Sequence, residues 1–381
     1  MNRRNWLKNT ALLTLVPPAI GRLQAAAKPV PGSSRTVSDM SFATRMPPEL
    51  KARLFANENP FGPSAKAKQA MIDSLGTSYQ YQMKQVQELE AKICAFEELD
   101  PKMLMTGAGS SPLLLGAALA LCAKGGNVVT ADPAYDDLPS RCEEIGAKWI
   151  KVPLTADYKH DLDAMEKAIN ADTKLVYICN PNNPTGTIVD AEKLKAFCER
   201  VSKKVTVFVD EAYIDYLPDP QGTTLIGNVK KGQNIIVART FSKLYGLAGI
   251  RVGYVIAQPD MITLLGNYAA TGLFCLSAPA IAAALASYQD KTYMQEAFQK
   301  MVKSKEYLYS VLKAEGYSYI PSSANFVMFP LKMDGTRFSD EMMKRGVGLR
   351  HWKLNNAEWC RISIGRMDEM EAFAAAFKEL S

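Results

Sequence analysis

Ile235-Ile236-Val237-Ala238-Arg239-Thr240-Phe241-Ser242-Lys243 opens on a short apolar run and closes on a polar cluster ending in lysine. The same arrangement occurs twice upstream: Leu175-Val176-Tyr177-Ile178 precedes Asn180-Pro181-Asn182-Asn183-Pro184-Thr185-Gly186, and Val205-Thr206-Val207-Phe208-Val209 precedes Asp210-Glu211-Ala212-Tyr213. Apolar runs this short, bounded by turn residues, read as strands buried on both faces. Helix-spaced stretches separate them, which points to an α/β fold with a mostly parallel sheet between helices. In such a sheet, functional groups collect beyond the carboxyl ends of the strands. Three strands are therefore expected to deliver three polar clusters to one edge.

The pattern extends in both directions. Val86, Leu89, Ile93 and Phe96 have helical spacing, Met103-Leu104-Met105 and Asn127-Val128-Val129-Thr130 read as strands, and residues 112–123 read as a helix between them. Thr106-Gly107-Ala108-Gly109-Ser110-Ser111 joins strand to helix. Unobstructed backbone N–H groups at a helix N-terminus suit a phosphate, although a glycine-rich stretch is by itself more often just a tight turn. Residues 300–312 form a long helical pattern, and Met370, Phe373, Ala374 and Phe377 share a face of a last one. The expected organisation is a leader over 1–27, a linker or arm over 28–46, a segment over 47–80 partly joining a small domain, a large domain over 81–289 and a small α+β C-terminal domain over 290–381.

Arg251 follows Lys243 at the end of Leu247-Ala248-Gly249-Ile250-Arg251, and Phe55-Ala56-Asn57-Glu58-Asn59-Pro60 lies near the other end of the pattern. In this order and spacing the motifs resemble the type I fold of pyridoxal-phosphate enzymes, and within it the histidinol-phosphate aminotransferase family of class II aminotransferases. The similarity runs from about Leu54 to Arg361 and beyond. Each motif is modest alone; the ordered set is specific.

Lysine is the residue that can lose a proton and bond an aldehyde carbon, so Lys243 is expected to hold pyridoxal 5'-phosphate as a Schiff base and then to shuttle a proton. Its alternative is a surface lysine. A carboxylate ending an apolar strand is costly unless paired. The resemblance implies that Asp210 pairs with the pyridine nitrogen, the alternatives being a helix cap or a salt bridge. It implies also that Tyr213 and Asn183 donate to the cofactor's phenolic oxygen, that Tyr135 stacks on the ring, and that Gly109, Ser110, Thr240, Ser242 and Arg251 hold the phosphate. Tyr81 matches a tyrosine that reaches the neighbouring subunit's phosphate site, which implies a homodimer, but Gln82 follows it where the family usually has proline. Arg361 in Trp359-Cys360-Arg361-Ile362-Ser363 matches the clamp for the substrate α-carboxylate. Asn325 and Asn57 match further substrate contacts, while Arg350 is either near the substrate side chain or a surface arginine. No role is assigned to His160 or His351.

Composition narrows the partners. The net charge of +6 falls to +2 once Arg3, Arg4, Lys8 and Arg22 are set aside, which leaves no electrostatic footprint for nucleic acid. Those residues belong to a stretch that resembles a twin-arginine export signal, Asn2-Arg3-Arg4-Asn5-Trp6-Leu7-Lys8, followed by an apolar run over 11–20 and a small-residue cleavage site at Ala25-Ala26-Ala27. The alternative is a solvated, frayed end. The apolar run contains Pro17-Pro18 and is shorter than the roughly 20 residues a membrane span needs. A periplasmic location is thus expected, with the cytoplasm as alternative. Seven cysteines without CxxC spacing indicate neither a zinc site nor a disulfide framework.

The expected activity is transfer of an amino group between an amino acid or amine and a 2-oxo acid. Decarboxylation or another lyase reaction of the same cofactor is the alternative within the fold, and non-catalytic cofactor binding the alternative outside it. Histidinol phosphate is a cytoplasmic intermediate that an exported enzyme would not meet, so the family resemblance does not fix the substrate.

Overall fold

Apolar and β-branched runs form strands where the alternation demands them. In the computed structural model, which describes residues 50–381 apart from 270, 273 and 355, the strands are β1 (Ala52–Arg53), β2 (Leu104–Gly107), β3 (Asn127–Asp132), β4 (Lys148–Pro153), β5 (Thr173–Cys179), β6 (Thr206–Asp210), β7 (Ile235–Thr240), β8 (Gly253–Ile256), β9 (Phe326–Pro330), β10 (Val347–Gly348), β11 (Arg350–Leu354) and β12 (Ala357–Ser363). The proposed leader and arm lie outside the described residues. No described helix is long and apolar enough to cross a membrane.

Seven strands make the main sheet in the order β2-β8-β7-β6-β5-β3-β4. The neighbours from β7 through β4 are parallel. Consecutive residues of these strands serve opposite faces: Val176, Ile178, Val207, Val209 and Val237 enter one core, and Leu175, Tyr177, Phe208, Ile236 and Ala238 the other. Burial on both sides explains why the runs read as continuously apolar. The sheet is mostly parallel, as expected; the exception is β8, which runs antiparallel to both β7 and β2. The connection over residues 241–252 contains no helix that could carry the chain back across the sheet, so the next strand can only return beside its predecessor.

A second sheet, β11-β12-β9, is antiparallel throughout. Its core takes Phe326, Phe329, Cys360 and Ile362 together with Met370, Phe373 and Phe377 of the last helix. The 24-residue helix Lys291–Ala314 adds Met301, Leu308 and Leu312, and begins where the Asp290 carboxylate accepts from Tyr293 N–H; such a cap contributes about 1 kcal/mol. Ala52 and Leu54 join this core from the N-terminal side, β1 pairing with β10. The motif that follows Leu54 is thereby brought to the carboxyl edge of the main sheet.

Candidate active site

β6 ends at Asp210, β7 ends at Thr240 and leads into Lys243, and the Asn183 turn follows β5. The sheet therefore brings the three clusters to one edge. Asp210 is almost wholly buried; its Oδ1 accepts from Ala212 N–H at 3.0 Å and its Oδ2 from the Tyr177 hydroxyl at 3.1 Å. Burial pushes its pKa up to about 6, against the pull of those donors and of Lys243. The Lys243 amine lies 3.5 and 3.3 Å from the carbonyl oxygens of Ala56 and Asn57 and faces the Tyr213 ring at 5.3 Å. Burial, helped by the Arg361 charge, lowers it to about 8. A deprotonatable amine and a buried carboxylate thus share one edge.

Around them the N-terminal motif is tied in. Asn57 adopts a left-handed backbone, donates through Nδ2 to the Tyr213 hydroxyl at 3.0 Å and exchanges hydrogen bonds with the Ser363 hydroxyl. Accepting from Asn57 leaves the Tyr213 O–H free to donate elsewhere, and burial raises its pKa, which keeps the proton on. Asn325 holds the same stretch, donating to the Asn57 carbonyl at 3.0 Å. Arg361 donates to Asn183 Oδ1 and, at 2.8 Å, to the Phe55 carbonyl, while its Nε–H has no partner. Burial lowers the guanidinium pKa to about 10, so it remains a cation at neutral pH. A buried cation with a spare N–H has the chemistry to bind a carboxylate.

The residues expected at the phosphate converge as well. Thr240 donates to the Ser242 hydroxyl at 2.9 Å, and Arg251 approaches the same hydroxyl at 3.3 Å. Gly109 has φ +88°, where a side chain is strained, and a Cβ there would lie 2.0 Å from Arg251 Nη2 and so push that guanidinium aside. Gly253 is equally constrained: its Cβ would meet the Ser110 nitrogen at 2.7 Å. Ser110 precedes the helix Ser111–Cys122 without a side-chain cap; Gly109 N–H donates to the Gly107 carbonyl, Leu113 N–H to that of Ser110, and Pro112 has no N–H, so the donors left for an anion are the Ser110 and Ser111 amides. This cradle, the buried carboxylate and the amine fit pyridoxal phosphate at its phosphate, ring nitrogen and aldehyde respectively.

Other expected residues are less closely bound to this group. Tyr135 is half-buried and close enough to Tyr177, Tyr213 and Arg361 to bear on their ionisation. Arg350 is directly opposite Arg361 in the β11–β12 register. Tyr81 stands apart, strongly exposed and edge-on to Phe274 at 5.0 Å. Several contributors escape a linear reading. Tyr177 is hidden inside an apolar run, Trp352 and Phe326 flank the Arg361 guanidinium, and His160 supports the turn before Asn183. Burial pushes His160 down to about 4, so the neutral ring donates to Asn182 Oδ1 at 3.2 Å. Only register and long-range packing bring these residues together; no local motif marks them.

This mostly parallel sheet, with lysine, carboxylate and glycine-lined cradle at its carboxyl edge, has the architecture of a type I pyridoxal-phosphate transferase. Residues 51–377 match the family described as aminotransferase class I and II. A histidinol-phosphate aminotransferase of Moorella thermoacetica is 34% identical over 86% of this chain and 85% of its own, and one from Cupriavidus pinatubonensis is 37% identical over 86% and 87%. The crystal structure of the Sinorhizobium meliloti histidinol-phosphate aminotransferase in complex with pyridoxal 5'-phosphate superposes with a TM-score of 0.84 at 26% identity, covering 94% of this chain and 100% of that one. The chain belongs to the class I and II aminotransferase family.

Proposed function

We propose that this aminotransferase moves an amino group between an amino acid and a 2-oxo acid, with Lys243 as nucleophile and proton carrier, Asp210 as the ring-nitrogen partner and Arg361 as the α-carboxylate clamp. The enzyme depends on pyridoxal phosphate. When bound, that group supplies an aldehyde carbon and a ring that withdraws electrons from the substrate Cα. The observation that carries the reading is a half-buried amine at the carboxyl edge of the main sheet, within electrostatic reach of a buried guanidinium from β12 that keeps an unpartnered N–H.

Each residue has a definable task. The Ser110 amide, the Thr240 and Ser242 hydroxyls and Arg251 would hold the phosphate, with Gly109 leaving room for it; the Gly109 N–H, expected to join them, donates instead to the Gly107 carbonyl. The Asp210 carboxylate holds a proton on the ring nitrogen. Tyr213, kept protonated by burial, and Asn183 Nδ2 donate to the phenolic oxygen, and Tyr135 covers the ring. Arg361 orients the substrate through its carboxylate, which sets Cα within reach of Lys243. The Lys243 amine, neutral above about pH 8, takes the Cα proton and returns it to the neighbouring carbon.

The reading is tested by mixing the loaded enzyme with a panel of amino acids and following the visible absorbance of the cofactor. Conversion to the pyridoxamine form, reversed by a 2-oxo acid, is expected. No conversion with any amino acid, or release of carbon dioxide instead, defeats transamination and favours the lyase alternative. The donor side chain stays open, histidinol phosphate and aromatic amino acids included.

We also infer a homodimer. Ile72, Leu75, Tyr79, Tyr81 and Phe274 are large apolar residues in the open, more than a monomer ordinarily leaves to water in so short a span. A second copy covering this face would bring Tyr81 to the neighbour's phosphate cradle. Light scattering is expected to give twice the chain mass; an active, cofactor-saturated monomer would sink the inference. Export through the twin-arginine pathway remains our proposal for residues 1–27. Mass spectrometry of the mature protein tests it, and an intact Met1 in the cytoplasmic fraction refutes it.

A further inference from the structure

The Arg361 guanidinium meets aromatic rings as well as hydrogen-bond acceptors. Its in-plane bonds to Asn183 Oδ1 and the Phe55 carbonyl fix two points and so define an axis. Rotation about that axis would swing the unpartnered Nε–H away from an incoming carboxylate. What opposes rotation is aromatic packing on the guanidinium: the Trp352 ring centroid lies 4.6 Å from the guanidinium carbon and that of Phe326 5.4 Å. Register explains the first contact. Trp352 pairs with Trp359 across the β11–β12 ladder, so it is the diagonal neighbour of Arg361 on the same sheet face. Phe326 belongs to the fully buried core, whereas Trp352 is only half-buried and contributes to the site mainly through this stack.

We propose that Trp352 is a positioning residue for the carboxylate clamp, its indole fixing the plane in which the spare N–H groups of Arg361 point. Guanidinium carries five N–H donors; two are engaged within the protein, and the rest, the buried Nε–H among them, are presented only if the plane is held. A flat aromatic surface does this without consuming a donor, and attraction between cation and ring face is strongest where water is excluded. An aliphatic side chain would fill space but leave the plane free to tilt. The proposal rests on Arg361 being the substrate clamp.

The test compares Trp352→Leu, which keeps apolar bulk, with Trp352→Phe, which keeps a ring. In the loaded enzyme, Trp352→Leu is expected to raise KM for both the amino acid and the 2-oxo acid by about tenfold while kcat stays within about twofold. Trp352→Phe is expected to stay within about threefold of the natural enzyme on both counts. Cofactor content equal to the natural enzyme checks folding, and Trp352→Met replaces the leucine variant if that check fails. An unchanged KM in the aliphatic variant, a loss confined to kcat, or a phenylalanine variant as impaired as the leucine one overturns the proposal. Arg361→Gln separates the two levels. If it leaves KM unchanged, the clamp assignment itself falls; if it raises KM and Trp352→Leu does not, only the role of Trp352 falls.

Discussion

Lys243→Ala abolishes transamination, with kcat expected to fall by about four orders of magnitude, because one side chain serves both as covalent anchor and as the proton carrier between substrate atoms. The variant still binds the cofactor, since Gly109, Ser110, Thr240, Ser242 and Arg251 are untouched. Borohydride treatment followed by mass spectrometry then finds no adduct, whereas the natural enzyme carries one at residue 243. A variant that still bears a reducible bond to the cofactor would mean that the reaction centre has been misplaced. A second measurement follows from the environment of the amine. Burial and the Arg361 charge bring Lys243 down to about 8 from an ordinary value of 10.5. Below that pH the amine is protonated and has no lone pair, so the rate at which the apoenzyme takes up the cofactor covalently should rise through about pH 8 and level off above it. A rate still climbing at pH 10 would describe a solvated lysine.

How much of this could be read along the chain depends on whether partners are local. Lys243, Asp210, Asn183 and Arg251 were legible because each closes an apolar run or a turn, and strand ends in a parallel sheet converge whatever the intervening helices do. The reversal of β8 was not read, because its residues look like any buried strand and only the helix-free connection before it sets the direction. Tyr177 looked like one more apolar strand residue; it matters because register places it diagonally from Asp210, one strand over. Trp352 and Phe326 come from two strands on either side of β12, and their shared attachment to Arg361 exists only once all three are paired. Ser363 was noticed as part of a motif but not as the partner of Asn57, a contact that spans most of the chain. Local pattern thus gave the chemistry, and tertiary pairing supplied the groups that hold the chemistry still.

Asp210→Asn is expected to lower kcat by about 10²–10³, the range seen when a preorganised electrostatic partner is removed from a site that excludes water. The substitution preserves shape and removes the charge, together with one of the two accepting oxygens. A carboxylate that is 2% exposed is costly to keep ionised, and its donors, Ala212 N–H and the Tyr177 hydroxyl, offset only part of that cost, as the rise to about 6 shows. A cation placed against it would complete the compensation, and a protonated ring nitrogen is such a cation. Asparagine keeps one accepting oxygen, for Ala212 N–H or for the Tyr177 hydroxyl, and puts an NH2 donor at the other position; it cannot hold a proton on a partner. The sign of the pH dependence distinguishes this from a packing defect. With a folded-state value near 6, the natural apoenzyme carries the carboxylate charge above that pH and loses it below, so cofactor affinity should weaken as pH falls through 6. In Asp210→Asn the group has nothing to titrate, and that limb should vanish while affinity at pH 8 drops. A variant that keeps activity within tenfold, or that still shows the acid limb, would assign the ring-nitrogen proton to some other group.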